Sequence, residues 1–428
     1  MMALMNPDTA AERRRLETMN ARDLARHQLQ RLNELLDQIL PHNRFYAAKL
    51  AGIRRPLKSL DELSDWPFTY KDDLLESPEA DNLAANRTWP LERYARFHQT
   101  SGTHGRPLVV LDTLDDWQWW LGCWQYVLDA AEITAADRVL MAFSFGPFVG
   151  FWSAYDAIAA RGCMLIPTGG VATLGRLEMA RASRATAICC TPSYALHMAE
   201  VAAEHAIDTA SLGVRRVIVA GEPGGSVPAV RAAIERAWGA KVLDHCGASE
   251  IGPWGYGDLA GIGVRVIESE FLAELLSVAT GTPAIEGELA ELVLTTLGRS
   301  GSPVFRYRTG DVVRPTWHGE GPNRFMRLDG GILGRTDDML VVRGVNVFPS
   351  SIEQIVRSFP EVVEFRAIVS KQTQLDQLEV EIEDRLNEPQ RVADELRLRL
   401  GLTVEVRCVP LGSLPRFEGK GRRFIDRR

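Results

Sequence analysis

The chain has 428 residues, 46% of them hydrophobic and 25% charged, with a formal net charge of −7. That is enough for a large core and for two or three domains of ordinary globular composition, and it supplies no overall basic field to hold nucleic acid. The six cysteines, Cys123, Cys163, Cys189, Cys190, Cys246 and Cys408, form no C-x-x-C pair and H-E-x-x-H is absent, which argues against a zinc site or a disulfide framework and fits a reducing cytoplasm.

The start, MMALMNPDTAAERRRLE, has no long apolar stretch, so no secretion signal is expected. From 11 to 40, Leu24, His27, Gln28, Leu32, Leu35, Leu36 and Ile39 recur at helical spacing and predict one amphipathic helix ending before Pro41. A polar connection follows. Within HQTSGTHGRPLVV (98–110), Thr100, Ser101, Gly102, Thr103, His104, Gly105 and Arg106 offer hydroxyls and a permissive backbone that can turn several N–H groups onto one anion. Arg106 adds a fixed positive fork, and His104 is a cation only when protonated. A β-turn between strands is the other reading of these residues. No Gly-Lys-Ser/Thr follows, so the loop is not of the Walker A kind. In DDWQWWLGCWQY, Trp117, Trp120 and Trp124 share one helical face and read as buried packing.

From 137 to 250, short apolar runs alternate with helical ones, which implies right-handed βαβ units and a mostly parallel sheet. The most apolar window, 139–155, is broken by Gly146, Pro147 and Gly150 and reads as a strand, a loop and a helix start rather than a membrane span. Gly146-Pro147, Thr191-Pro192-Ser193, Gly221-Glu222-Pro223 and Gly247-Ala248-Ser249-Glu250 each follow an apolar run. They therefore converge at the carboxyl ends of the strands, where open α/β sheets carry their ligand crevice.

Residues 260–330 read as β-rich, with GVRVIESEF and GELAELVLTTL as strands. Glu250 can hold Mg²⁺ beside a triphosphate or can sit at a helix N-terminus. Asp311, in YRTGDVV, can grip two ribose hydroxyls or cap a turn. After 334–338 the pattern changes: VVEFRAIVS, QLEVEIED and LTVEVRCVP alternate like strands and PQRVADELRLRL is helical, a small α+β unit of about 90 residues. The expected division is 1–334 and 335–428. Lys420 lies between Gly419 and Gly421, and the basic end GRRFIDRR reads as a solvated tail or a phosphate contact.

In order along the chain, WPFTYKDDL (66–74), TSGTHGRP (100–107), TPSYAL (191–196), GEPG (221–224), GASEIGP (247–253), RYRTGD (306–311), GRTDDMLVVRGVNVFPSSIE (334–353) and EGKGRRFIDRR (418–428) resemble the adenylate-forming, AMP-binding superfamily. Within it they are most similar to the phenylacetate–CoA ligase family, from about Leu24 to Arg428. The resemblance implies an α/β fold: a large N-terminal domain with mostly parallel sheets and helices, and a small mobile C-terminal α+β domain. It implies a two-step reaction in which a carboxylate attacks the α-phosphorus of ATP and a thiol then displaces AMP from the acyl-adenylate. Thr100 to Pro107 would hold the outer phosphates, Glu250 the Mg²⁺, and Asp311 the ribose. Arg335 would reach the nucleotide, with Gly221, Glu222, Pro223, Cys246 and Gly247 along it. Lys420 would bridge the carboxylate and the α-phosphate, Asp337 would be the hinge, and Gly344 would let the pantetheine thiol pass. Phe143, Phe145, Phe148, Tyr194 and Ala248 would line the acyl pocket and favour an aromatic acid.

The chain departs from the family pattern at His104 and Arg106, which replace a threonine and a lysine. Cys246 stands where the adenine is stacked on an aromatic, with Trp254 and Tyr256 as candidates to replace that surface, and Gly224 replaces a bulky aromatic. The expected substrates are a small carboxylic acid, ATP and coenzyme A, with no nucleic acid or membrane partner; a homodimer is left open. The alternatives are a stand-alone adenylating enzyme that loads the phosphopantetheine of an acyl carrier protein, and a catalytically silent nucleotide-binding homologue.

Overall fold

The computed structural model describes residues 9–75, 83–100, 107–143, 146–317, 321–337, 340–342, 345–372, 375–416 and 423–427. The N-terminal amphipathic segment forms two helices, α1 (Ala10–Glu17) and α2 (Ala21–Ile39), where the spacing predicts one. Asn20 breaks it: in extended backbone, its side chain accepts a hydrogen bond from the Asp23 amide and caps α2. The apolar face of α2 is buried as the periodicity requires, at Leu24, Leu32, Leu35, Leu36 and Ile39. Short helices α3 (Arg44–Lys49) and α4 (Lys71–Leu75) follow. Strands β1 (Tyr94–Gln99) and β2 (Val109–Thr113) pair as an antiparallel hairpin. Helix α5 (Leu114–Ala130) starts on a reciprocal Thr113–Asp116 capping box and buries Trp117, Trp119, Trp120 and Trp124 in the core.

The alternating region folds as β3 (Arg138–Met141), α6 (Val149–Ala160), β4 (Met164–Pro167), α7 (Thr173–Ser183), β5 (Ala187–Cys190), α8 (Pro192–Glu204), β6 (Arg216–Ala220), α9 (Pro228–Trp238) and β7 (Lys241–Ala248). Strands β4-β3-β5-β6-β7 are parallel neighbours. Period-two alternation splits their side chains between two layers. Val139, Met141, Cys189, Ile218 and Leu243 pack with α5 and α6, whereas Leu140, Ile188, Cys190, Val217, Val219 and Val242 pack with α7, α8 and α9.

Strands β8 (Gly252–Gly257) and β9 (Gly263–Val266) extend this sheet antiparallel. GVRVIESEF is thus two strands rather than one, because β10 (Phe271–Ser277) starts only after a turn that buries Glu270 against Arg31 (2.8 Å) and Trp119 Nε1 (2.7 Å). Strand β10 belongs to a second sheet with β11 (Ala290–Thr296) and β12 (Tyr307–Val313). Two short strands, β13 (Pro315–Thr316) and β14 (Arg327–Asp329), complete the nine-stranded sheet, and β15 (Gly334–Arg335) adds to β12.

Beyond it lie the hairpin β16 (Leu340–Val342) and β17 (Val345–Val347), helix α10 (Pro349–Arg357), β18 (Val362–Gln372), β19 (Leu375–Asp384), α11 (Pro389–Leu400), β20 (Glu405–Cys408) and β21 (Phe424–Asp426). Their four-stranded sheet, β20-β19-β18-β21, has its own core of Ile352, Val356, Phe365, Val380, Val392 and Leu396. The basic end of the chain is not the solvated tail of the sequence reading. Residues Phe424–Asp426 pair in parallel with β18, and Arg423 is buried against Glu364 at 2.7 and 3.0 Å. The two parallel bonds of a carboxylate fork offset part of the cost of desolvating the guanidinium. Among the described residues, no helix is long and apolar enough to cross a membrane.

Candidate active site

The carboxyl ends of β3, β5, β6 and β7 stand at one edge of the sheet, and hydrogen bonds tie their loops together. Thr191 caps α8 through the Tyr194 amide (3.2 Å), and the first turn of that helix reaches the neighbouring loop, where the Ser193 amide donates to Glu222 Oε1 at 2.8 Å. Position 224 has room only for glycine: a Cβ there would lie 2.4 Å from the Cβ of Pro192, so the bulky residue of the family pattern has no space in this chain.

The hairpin β1–β2 closes onto this edge. The Thr100 amide donates to the Leu108 carbonyl and the Leu108 amide to Thr100 Oγ1, both at 3.0 Å, which cinches the neck of the connecting loop. The Gln99 amide donates to the Pro147 carbonyl (2.9 Å) and so stitches the neck to the loop after β3. Ser101, Gly102, Thr103, His104, Gly105 and Arg106 lie outside the described residues, as do Phe145, Gly344 and Lys420.

Glu250 is held from two sides. Tyr307 donates its hydroxyl to Glu250 Oε1 at 2.8 Å, and Arg299 Nη1 donates to the carbonyls of Ser249 (3.1 Å) and Glu250 (2.8 Å). Burial, reinforced by the Glu250 charge, pushes the Tyr307 phenol well above its usual range, so it remains a donor. Arg299 is fully buried and pairs with the equally buried Asp112 on β2 (Nε–Oδ1, 2.8 Å). Burial lifts the Asp112 carboxyl to about 6 against the pull of Arg299. One guanidinium thus joins the strand leading out of the hairpin to the turn carrying Glu250. The sequence reading missed Arg299 and gave Tyr307 no role. The signal for the first was an arginine in the turn material LGRSGSP, without an acidic neighbour in sequence.

On β12, Asp311 stands opposite Arg335 of β15 in the strand ladder. Arg335 Nη1 reaches Asp311 Oδ1 at 3.2 Å, and its Nε reaches Asp337 Oδ1 at 2.8 Å. Gly310 makes this possible: it has φ +74°, and a Cβ there would lie 2.9 Å from Arg335 Nη2. Three residues assigned separately from sequence therefore form one bridge.

The acyl-pocket candidates divide. Phe143 stacks on Phe151 (centroids 4.4 Å apart), Phe148 meets the same ring edge-on at 6.3 Å, and Ala248 packs, half-buried, against the same core. Tyr194 lies instead in the layer on the other face of the sheet, its hydroxyl 3.1 Å from Thr173 Oγ1 and its ring under Arg176. Helix α8 begins at Pro192, so Tyr194 follows the helical turn away from the strand end and does not join Phe143. Trp254 and Tyr256 are only 1% and 2% exposed, and Tyr256 bonds Glu17, so neither offers a free surface to replace an aromatic at Cys246. The Cys246 thiol is itself buried among core residues, which raises it well above its usual range.

Where the two main cores meet, α10 packs on α9, Ser350 Oγ donates to the Leu333 carbonyl, and Arg416 Nε lies 3.2 Å from Glu200 Oε2 on α8. Desolvation holds the Glu353 carboxyl of α10 above the ordinary range, Arg423 and Arg357 pull it down, and the charge of Glu222 pushes it up. Glu222 thus lies near enough to the C-terminal unit for its charge to act on Glu353 and Arg423. Among the described residues, no group of three or more His, Cys, Asp or Glu side chains could hold a metal alone. The half-buried carboxylate of Glu250 still suits a hard cation that brings phosphate and water ligands, because one carboxylate is a usual protein share for Mg²⁺.

Residues 46–286 match the sequence model of the AMP-binding enzyme family, and residues 344–428 match that of the AMP-binding enzyme C-terminal domain. The chain is 32% identical to a phenylacetate-coenzyme A ligase of Pseudomonas putida, over 96% of both chains. It is 33% identical to that of Escherichia coli (strain K12), over 96% of this chain and 97% of the relative. Among solved structures, 2-hydroxyisobutyryl-CoA ligase in the postadenylation state with 2-HIB-AMP superposes with a TM-score of 0.91 at 28% identity, covering 97% of this chain and 92% of that one. The same enzyme in the thioesterification state, with 2-HIB-AMP and CoA, gives 0.73 at 28% identity, covering 98% and 93%.

Proposed function

The chain belongs to the AMP-binding enzyme family, and from that premise we propose that it is an AMP-forming acid–CoA ligase whose acid is aromatic. In the first step a carboxylate oxygen attacks the α-phosphorus of ATP and pyrophosphate leaves. In the second the CoA sulfur attacks the acyl carbon and AMP leaves. The observation that carries this reading is the double duty of β12, which bears Asp311 and, through Tyr307, holds the carboxylate of Glu250. A ribose site and a cation site are thereby fixed to one rigid element. Attack of an anion on a polyanion requires alignment and charge neutralisation more than acid–base work.

Within this reading Asp311 and Arg335 bind the nucleotide, Gly221, Glu222, Pro223, Cys246 and Gly247 lie along it, and Thr100–Arg106 cover the outer phosphates. Glu250 would hold Mg²⁺, which supplies neutralisation of phosphate charge when bound. Lys420 bridges the acid and the α-phosphate. The stacked pair Phe143 and Phe151, with Phe148 edge-on to it, favours a flat acid. The proposed domains are 1–334 and 335–428, with Asp337 as hinge and Gly344 as the thiol passage. The higher TM-score against the postadenylation state, 0.91 against 0.73 for the thioesterification state, supports the present arrangement of the two parts as one on the adenylate side of the cycle, before the thiol step. A panel of carboxylic acids, scored by pyrophosphate release with and without CoA, tests the function. Aryl acids should lead, with CoA thioester as product. A preference for small aliphatic acids would overturn the aromatic assignment.

A further inference from the structure

Arg416 ends the described stretch just before residues 417–422, which include Lys420. Its guanidinium is already oriented within the small domain: Nη2 lies 2.7 Å from Glu383 Oε2, Nη1 lies 3.2 Å from Glu383 Oε1, and Nη1 also donates to the Leu414 carbonyl at 3.0 Å. The Glu383 side chain is fully buried, so this grip is part of the domain's own structure. A planar fork fixed on one carboxylate presents its remaining Nε–H in one direction only. In the present arrangement that direction leads to Glu200 Oε2, 3.2 Å away on α8 of the large domain. The first turn of the same helix bears Ser193, which bonds Glu222 at the crevice edge. His197 Nδ1, one turn back on α8, is 3.7 Å from the same Glu200 oxygen.

We propose that Glu200 is a positioning residue for the adenylation half-reaction, docking the small domain through Arg416 and so fixing where the chain enters the segment that carries Lys420. The proposal rests on the ligase reading above. The pair joins two separately packed cores, and a ligase that changes the relation between them between half-reactions must break it on every cycle. Both side chains are about a quarter exposed, 24% for Arg416 and 28% for Glu200, which suits a contact strong enough to bias an equilibrium and weak enough to release.

The test uses Glu200→Gln in the full chain, with Glu204→Gln, at the end of the same helix, as the charge-matched control. Each half-reaction rate scales with the population of its own arrangement. The ratio of acid-dependent ATP–pyrophosphate exchange to CoA thioester formation from supplied acyl-adenylate therefore follows the docking equilibrium, whichever arrangement dominates. The ratio should fall about three- to five-fold in Glu200→Gln, the range an ion pair of this exposure supports, and stay at the parent value in Glu204→Gln. A ratio unchanged in Glu200→Gln, or lowered equally in the control, overturns the proposal. A second readout needs no turnover: amide hydrogen exchange at the α9–α10 seam should quicken in Glu200→Gln alone, and unchanged protection counts against the docking role. Absence of acid-dependent exchange in the parent enzyme would instead count against the ligase reading, and the amide exchange would then decide the docking role by itself.

Discussion

Tyr307 donates its hydroxyl to Glu250 Oε1 at 2.8 Å, so the strand that carries Asp311 also sets the orientation of the Glu250 carboxylate. A hydrogen bond to a charged acceptor contributes roughly 1.5–3 kcal/mol. If Glu250 holds Mg²⁺, Tyr307→Phe should lower ATP–pyrophosphate exchange at limiting Mg²⁺ by about ten-fold or more and recover part of the rate as Mg²⁺ is raised. An Mg²⁺ titration of parent and variant checks this. Superimposable titration curves would detach Tyr307 from the cation site.

Arg299 is the sole described ion-pair partner of buried Asp112, and it also holds the Ser249–Glu250 turn. Removing it strands a buried carboxylate, which typically destabilises by roughly 3–5 kcal/mol. Arg299→Met should therefore unfold at markedly lower denaturant, and adding Asp112→Asn should restore a large part of the loss. Chemical denaturation of the two variants decides it; a single variant as stable as the parent would mean that the pair contributes nothing net.

His98, on β1, is buried and stacks on Trp117, and its Nδ1 has no hydrogen-bond partner among the described residues. Burial, with the charges of Arg299 and Arg96, lowers it to about 4, and burial lowers His245 to about 4 as well. Both folded values lie below the unfolded value near 6.5, so the neutral ring is favoured in the fold. Their contribution is complete above about 6.5 and is lost as pH falls toward 4, with a slope of at most about 1.4 kcal/mol per pH unit for each group. Unfolding free energies measured from pH 7 to 4 should show a shallower decline in His98→Phe than in the parent. Parallel declines would show that His98 does not titrate against folding.

The two half-reactions separate Lys420 from Asp337. Lys420→Ala should abolish acid-dependent ATP–pyrophosphate exchange yet still convert supplied acyl-adenylate and CoA to thioester. If Asp337 is the hinge, Asp337→Pro should keep the maximal rate of exchange and lose thioester formation, because a rigid residue there blocks the turn, whereas the lost Arg335–Asp337 pair acts on nucleotide affinity. Single-turnover assays of each step on both variants test the pair. Equal loss of both steps in Lys420→Ala would remove the two-arrangement reading.

The alternation of strands and helices from Arg138 to Ala248, the buried tryptophan face of α5 and the clustering of the Gly, Pro, Ser and Glu loops at one sheet edge were all legible in the sequence. Each is encoded by residues a few positions apart, through periodicities of two and 3.6 and through local turn chemistry. Even the misread helix boundary was locally encoded, since Asn20 caps α2 through a residue three positions on. The tertiary structure alone decided the rest. It placed Tyr194 on the face away from Phe143, buried Arg423 on Glu364, joined Asp311 and Asp337 through Arg335, and set Arg299 between Asp112 and the Glu250 turn. Asp112 and Arg299 are separated by 187 residues, and no local pattern marks such a pair. Partners of that kind are chosen when the sheets close and a buried charge, deprived of water, must take whatever opposite charge the packing brings within reach.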